Sequence, residues 1–263
     1  MELRHNDKIL GSFQELVRSY PEREFDSPFR STVPLLSLWR APDQCLVGFC
    51  QAIQVSPPTQ CVASFEYQVP PPKGRGKASH TDLMLFGDST TIAIEAKYTE
   101  PPYKTVRQWM GVGSSNKRSV LEGWLELISR AAKRDLRPND VGKISYQLVH
   151  RCASACHNVA RTRIVVYMIF DDGSKKPESD YYLGQLKFIK SLLGHSAGLM
   201  LALIRVPFRP KPAYLDLQKM WKSGRRSLRA AVIDELLRDA PMEFDGFQPL
   251  WISEPRCPLS VKR

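Results

Sequence analysis

The order of hydrophobic and polar positions divides the chain into helical and strand-like segments. Apolar residues recurring every third or fourth position predict helices at residues 9–19, 119–133, 139–157, 179–193 and 226–238. Strands are predicted at 61–69 and, as unbroken apolar runs typical of buried strands, at 163–170 and 199–206. Residues 80–86 and 91–97 predict a hairpin. This order indicates an α/β fold with a central mixed β-sheet flanked by helices on both faces.

Prolines and helix-capping residues refine these boundaries. Residues 20–60 contain six prolines and predict loops, with short ordered pieces at Leu35–Trp39 and Cys45–Ile53. Ser119 followed by Glu122 is a capping-box pattern that would begin the helix through about 133 and leave 98–118 as a loop. We therefore expect an N-terminal segment (1–60), a core (61–210) and a basic C-terminal extension (211–263), packed together as one domain.

The hairpin at 80–97 carries the most informative polar residues. Side chains alternate along a strand, so Ile92 and Ile94 share one face while Glu95 and Lys97 share the other. A four-residue turn at 87–90 sets Phe86 opposite Thr91 and Asp82 opposite Glu95. A three-residue turn would mix apolar and polar faces unless a bulge corrected the register.

Two neighbouring carboxylates repel each other unless a cation lies between them. Oxygen ligands from one or two carboxylates, completed by waters, suit Mg²⁺ or Mn²⁺. Such an ion polarises a phosphoryl oxygen and lowers the pKa of a bound water. Lys97 would orient that water or stabilise developing negative charge. The alternative is a surface hairpin with ordinary polar residues, which fits poorly with Glu-Ala-Lys closing a strongly apolar strand.

Asp82 followed by Glu95-Ala96-Lys97 resembles the PD-(D/E)xK nuclease superfamily, which has the restriction-endonuclease-like fold. The resemblance covers roughly residues 61–170. It implies that Asp82, Glu95 and the backbone carbonyl of Ala96 bind the metal and that Lys97 is catalytic. The chain departs from the family's name at Thr81, where the name has proline. That proline is often replaced within the family.

Four further residues are candidates for the same site. Glu66 in the preceding strand would assist metal binding, or would be an edge-strand carboxylate paired with a loop lysine. Gln147 and Arg151 are four residues apart on a polar helix face, and some branches of the superfamily place a helical Gln near the scissile phosphate. Their alternative is a solvated helix face. Glu15 on the first helix is a more distant candidate, with a structural role as its alternative.

The net charge is +11, and its distribution is uneven. Residues 1–97 contain 10 Lys and Arg against 11 Asp and Glu, whereas residues 98–263 contain 28 against 16. A one-sided basic surface favours a nucleic-acid partner, and DNA is favoured over RNA. Lys187–Lys190 and Lys222–Arg229 would hold the backbone. The alternative is a basic but inert surface.

Composition also bounds the cellular setting. Six scattered cysteines do not form a disulfide framework, and reduced cytoplasmic thiols are expected. The first residues have no apolar core of a secretory signal, and no apolar run is long enough to span a membrane.

We expect a metal-dependent endonuclease of prokaryotic anti-phage defence or a mobile element. It could act as a homodimer or within a larger complex, and the sequence does not decide between these states. The alternatives are a nucleic-acid-binding or assembly subunit with little independent cleavage and a basic protein-interaction module.

Overall fold

A nine-stranded mixed β-sheet forms the centre of the protein in a computed structural model. The structure describes residues 1–112, 114–174, 178–194, 198–225 and 228–253. Within these ranges the strands are β1 Glu2–His5, β2 Lys8–Leu10, β3 Val62–Val69, β4 Ser79–Phe86, β5 Thr90–Lys97, β6 Thr162–Asp171, β7 Leu199–Pro210, β8 Met242–Phe244 and β9 Gln248–Ile252.

Strand directions change four times across the sheet, whose order is β2-β1-β3-β4-β5-β6-β7-β8, with β9 also pairing with β7. β3, β4 and β5 form an antiparallel meander. β5, β6 and β7 are parallel, as expected when helices cross between them. The predicted central mixed sheet is therefore confirmed, and strands from both ends of the chain join it.

Helices cover both faces of the sheet, as predicted. They are α1 Phe13–Ser19, α2 Thr32–Leu38, α3 Pro42–Ala52, α4 Val106–Met110, α5 Ser115–Ala132, α6 Tyr146–His157, α7 Ser179–Leu193, α8 Pro212–Lys222 and α9 Arg229–Arg238, with a 3-10 helix at Glu22–Phe25. One apolar core lies between the sheet and α1, α2, α3, α8 and α9. The other lies between the sheet and α5, α6 and α7.

The N-terminal region is more ordered than predicted. The expected helix at 9–19 begins only at Phe13, because Ile9 and Leu10 lie in β2 instead. Within 20–60, the ordered pieces expected at Leu35–Trp39 and Cys45–Ile53 are confirmed as the helices α2 and α3, each beginning three residues earlier than predicted. Pro42 occupies the first turn of α3, where a missing N–H leaves no hydrogen bond unmade, so this proline begins a helix.

Two helix starts were also predicted at the wrong residue. α5 begins at Ser115, because the Ser114 side chain accepts a hydrogen bond from the Lys117 N–H and caps the helix. Ser119 lies inside the helix and donates to the Ser115 carbonyl. The helix expected at 139–157 begins at Tyr146. The expected loop at 98–118 also contains α4.

The later elements agree more closely with the sequence. The helix at 179–193 and the strands at 163–170 and 199–206 are confirmed, each strand being longer than predicted. α8 was not predicted. The final helix begins at Arg229, and Arg226 and Ser227 of the predicted segment lie outside the described residues.

None of the helices in the described ranges is long and apolar enough to cross a membrane. The cysteines that the structure describes are buried free thiols, at positions 45, 50, 61, 152 and 156.

A close approach of backbone to α5 gives a stability prediction. A Cβ at Gly123 would lie 2.8 Å from the Lys73 backbone nitrogen, whereas a Cβ at Gly184 in α7 would meet nothing within 4 Å. Gly123→Ala is expected to destabilise the fold by about 1–3 kcal/mol, because the clash with backbone outweighs the better helix propensity. Gly184→Ala, the control, is expected to stabilise it by about 0.5–1 kcal/mol. Urea denaturation measures both, and equal signs would contradict the packing described.

Candidate active site

The hairpin of β4 and β5 has the predicted register. Phe86 pairs with Thr91 and Leu83 with Ile94, so Asp82 and Glu95 are the next positions along the two strands. There the Asp82 Oδ2 accepts a hydrogen bond of 2.7 Å from the Ala96 N–H. The carboxylate of one strand thus bonds to the backbone of the other. Leu83, Ile92 and Ile94 lie behind the site in the first core, as predicted.

Glu95 is fully buried and lies between two cations. The Lys97 Nζ is 2.7 Å from its Oε1, and the Arg151 Nε donates to its Oε2. Lys97 is itself buried beside Glu95 on the same face of β5, as the alternation predicted. A buried carboxylate is tolerated only when its charge is compensated in this way.

Arg151, predicted as a candidate together with Gln147, is a main contributor to this centre. The alternative of a solvated helix face is wrong for it, because only 4% of its surface is exposed. Besides Glu95, its Nη1 donates to the Ser79 Oγ at 3.1 Å, and its Nη2 lies 4.0 Å from the Asp82 Oδ1. The signal available in the sequence was the position of Arg151 among the apolar or small residues Val149, Cys152 and Ala153. All three are buried in the structure.

The two carboxyl groups respond oppositely to this environment. Burial raises the pKa of Asp82 well above its usual range, and Glu95 and Glu66 raise it further. Burial alone would raise the pKa of Glu95, but Arg151 and Lys97 outweigh it and lower that pKa. Glu95 and Asp82 likewise raise the pKa of Lys97 against the effect of burial. Glu95 is therefore held as an anion, while the charge of Asp82 is poorly compensated.

Glu66 lies on β3 between pairs Phe65–Leu83 and Tyr67–Thr81, which places it across from Asp82. Its φ of +51° is left-handed, a conformation that costs energy for a non-glycine residue. The side chain is half-buried, with its Oε2 3.3 Å from the His80 Nδ1, so its partner is a histidine and not the loop lysine considered earlier.

The backbone at Glu66 also changes the faces of β3. Phe65 and Tyr67 were expected on one face, opposite Glu66. Instead Phe65 lies in the first core and Tyr67 packs against the second, because the left-handed residue between them rotates the strand. Strain of this kind concentrates at functional sites.

Two other predicted candidates make no hydrogen bond or ion pair with these carboxylates in the described part of the chain. Gln147 is half-buried one helical turn before Arg151, and no hydrogen bond in the described part of the chain joins it to the carboxylates. Glu15 is exposed in the first turn of α1 and accepts from the Gly11 N–H. Glu15 therefore has the structural role that was given as its alternative.

Two tyrosines border the site and were not predicted. Tyr167 pairs with Glu95 in the register of β5 and β6, and its ring contacts Tyr182 of α7. Burial raises the pKa of Tyr182 to about 12. The Tyr167 hydroxyl is buried without a hydrogen-bond partner among the described residues. Tyr167 lies within the apolar run 163–170, where periodicity does not distinguish a site residue from a core residue.

Asp82, Glu95 and Ala96 fit a divalent cation by charge and donor type. The Asp82 side chain is 25% exposed, and its raised pKa shows that added positive charge would stabilise its anion. No group of three or more His, Cys, Asp or Glu side chains within the described ranges could hold a metal. Mg²⁺ needs only one or two carboxylates with waters, so this does not oppose the fit.

The fold and the site define an α/β protein with a buried, charge-compensated centre on its sheet. Residues 10–204 match the model of a family described as a domain of unknown function, DUF6946, and the chain belongs to that family. The match includes all of the site residues above. No curated protein and no solved structure matches the chain.

The raised pKa of Asp82 predicts a pH-dependent effect of Asp82→Asn. A carboxyl whose pKa is raised on folding lowers stability as pH rises from its unfolded value, about 3.9, through its folded value. Asn keeps an acceptor for Ala96 without a charge. The variant should therefore match wild type near pH 3 and become the more stable protein towards pH 7.

Urea denaturation across this range measures the difference. Asp135→Asn is the matched control, because Asp135 is exposed and pairs with Arg137 at 3.4 Å. It should show no gain that grows with pH. A gain for Asp82→Asn that shrinks as pH rises would contradict the burial of an undercompensated carboxylate.

Proposed function

We propose that this protein is a Mg²⁺- or Mn²⁺-dependent nuclease that hydrolyses phosphodiester bonds, with DNA favoured over RNA. The observation that carries the proposal is the meeting of Asp82, Glu95 and Lys97 at one end of the β4–β5 hairpin. The resemblance to the PD-(D/E)xK superfamily supports the same assignment. Roles in prokaryotic anti-phage defence or a mobile element, and a cytoplasmic setting, are part of the proposal.

Each residue of the centre has a role that follows from its surroundings. Asp82, Glu95 and the Ala96 carbonyl would hold the ion, which when bound supplies an electrophile and a water of lowered pKa. Lys97 carries a fixed positive charge beside Glu95 and would stabilise negative charge developing on the phosphate. Arg151 keeps Glu95 ionised, so that this carboxylate is available at neutral pH.

Part of the basic surface expected for nucleic acid is compensated within the fold. Arg229 pairs with Glu22 and Asp26, and the Lys222 Nζ lies over the Phe29 ring. These two residues of the 222–229 segment therefore have internal partners. Lys187 is exposed on α7.

The segment after β5 is the stronger candidate for holding the nucleic-acid backbone. It leads directly from Lys97 and contains the exposed residues Lys104 and Arg107. An isolated bridge between Thr105 and Ser145 fixes it beside the start of α6, the helix that carries Arg151. Phosphate contacts here would position a strand at the same end of the sheet as the site.

A second candidate function is that of a nucleic-acid-binding or assembly subunit with little independent cleavage. The observation favouring it is that both Glu95 oxygens already face a cation, so two carboxylates and two cations balance without a metal. In this case the site would be a structural charge cluster.

Cleavage by the purified protein tests the proposal. Supercoiled plasmid, linear DNA, single-stranded DNA and RNA are incubated with Mg²⁺, Mn²⁺ or EDTA. We expect cleavage with either metal and none with EDTA. Lys97→Ala should lower the rate by about 10²- to 10³-fold, because it removes charge stabilisation of the reacting phosphate. Asp82→Asn should abolish metal-dependent cleavage.

Asp88→Asn is the matched control, because Asp88 is exposed in the turn of the same hairpin and accepts from the Thr59 Oγ1. It should cleave like wild type. Cleavage that survives Asp82→Asn and Lys97→Ala would reject the assigned site. Nucleic-acid binding without cleavage under every condition would support the second candidate, and no binding would support a protein-interaction module.

Metal binding gives an independent readout. Mn²⁺ should raise the melting temperature of wild type and of Asp88→Asn, because a ligand that binds only the folded state stabilises it. The shift should be lost in Asp82→Asn. An equal shift in all three proteins would place the metal elsewhere.

A further inference from the structure

A basic pocket lies at the opposite end of α6 from the candidate active site. Its volume is about 300 Å³, and it is enclosed by the C-terminal ends of α5 and α6 and the start of β6. We call it the α6-end pocket. Its basic residues are Arg130, Lys133, His157, Arg161 and Arg163, and no carboxylate lines it among the described residues. Leu127, Ala131 and Cys156 supply apolar surface.

The α6-end pocket is separate from the active site along the same two strands. Arg163 pairs with Thr91 at one end of β5 and β6, and Tyr167 pairs with Glu95 four residues further on. At about 3.3 Å per residue, the two places are about 13 Å apart along the sheet. The α6-end pocket is therefore a different place from the active site, and a ligand bound there would not be the active-site metal.

The positions of three of its basic residues are explained by the fold. Lys133 is the C-cap of α5, Arg130 is in the last turn of α5, and His157 ends α6. Helix C-termini carry partial negative charge and favour such residues. Arg130 also pairs with Glu126 at 3.4 Å. These residues alone do not imply a ligand.

Arg161 and Arg163 do not have that explanation. They lie at and just before the start of β6, two residues apart, so their side chains leave the strand on the same side. Both arginines line the pocket. No carboxylate among the described residues that line it balances their charge, and an anion in the pocket would do so.

We infer that the α6-end pocket binds a small phosphate-bearing ligand of about mononucleotide size. Arginine side chains recognise phosphate through paired, charge-assisted hydrogen bonds. A volume of about 300 Å³ is at the lower end for small-ligand pockets. The apolar surface beside the arginines favours a small ligand with an apolar part over a polymer backbone. This inference does not depend on the proposed nuclease function.

Calorimetric titration of the full chain tests it. AMP, ATP, inorganic phosphate and adenosine are each added in EDTA, so that no metal contributes. We expect AMP or ATP to bind and adenosine to bind far more weakly. Arg161→Gln and Arg163→Gln should each weaken binding by about 10- to 100-fold, the loss expected for a hydrogen bond to a charged group.

Controls separate this pocket from the rest of the basic surface. Arg137→Gln removes an exposed arginine outside the pocket that pairs with Asp135, and it should bind like wild type. The titration contains no metal, so failure of the nuclease proposal would leave this result unchanged. Arg161 is exposed, so Arg161→Gln retains the fold even if Arg163→Gln does not.

The outcomes distinguish the ligand's source. Equal binding of inorganic phosphate and AMP, both weakened by Arg161→Gln, would support free phosphate as the ligand. Tighter binding of AMP or ATP would support a nucleotide. Binding that neither arginine variant changes, or binding of oligonucleotides alone, would overturn the inference.

Discussion

The buried charge of Glu95 is the constraint on which the centre of this fold depends. Moving a carboxylate out of water costs several kcal/mol, and neither Lys97 nor Arg151 alone faces both of its oxygens. Lys97 is fixed because it shares a strand face with Glu95. Arg151 must come from α6, so the helix can pack on β5 in only one rotation. The hydrogen bond from Arg151 to Ser79 then fixes the start of β4 to the same helix.

The hairpin was predictable because two independent patterns agree there. Alternation decides the faces of β5, and the length of the turn decides which residues of β4 oppose it. Arg151 was not predictable in the same way, because a polar position on a helix reads identically whether it faces water or a buried carboxylate. The left-handed backbone at Glu66 has no signature in the sequence, because a positive φ is typical of glycine, asparagine and aspartate and not of glutamate.

Proline accounts for most of the other differences. Residues 20–60 were expected to be loops with two short ordered pieces because prolines interrupt them, but Pro34 and Pro42 lie in the first turns of α2 and α3 and extend those pieces towards the N-terminus. Proline is tolerated there, since the first N–H groups of a helix have no partner within it. The buried strands β6 and β7 followed from apolar runs, whereas helix starts depended on local caps that several serines could supply.

The ion pair between Glu95 and Arg151 joins residues 56 positions apart, across the whole crossover between β5 and β6. Closing such a long segment costs chain entropy before any contact offsets it. Because Arg151 lies on α6, the pair can form only when that helix is docked on the sheet. Local structure in the unfolded chain therefore gains nothing from these charges, and they stabilise only the docked arrangement.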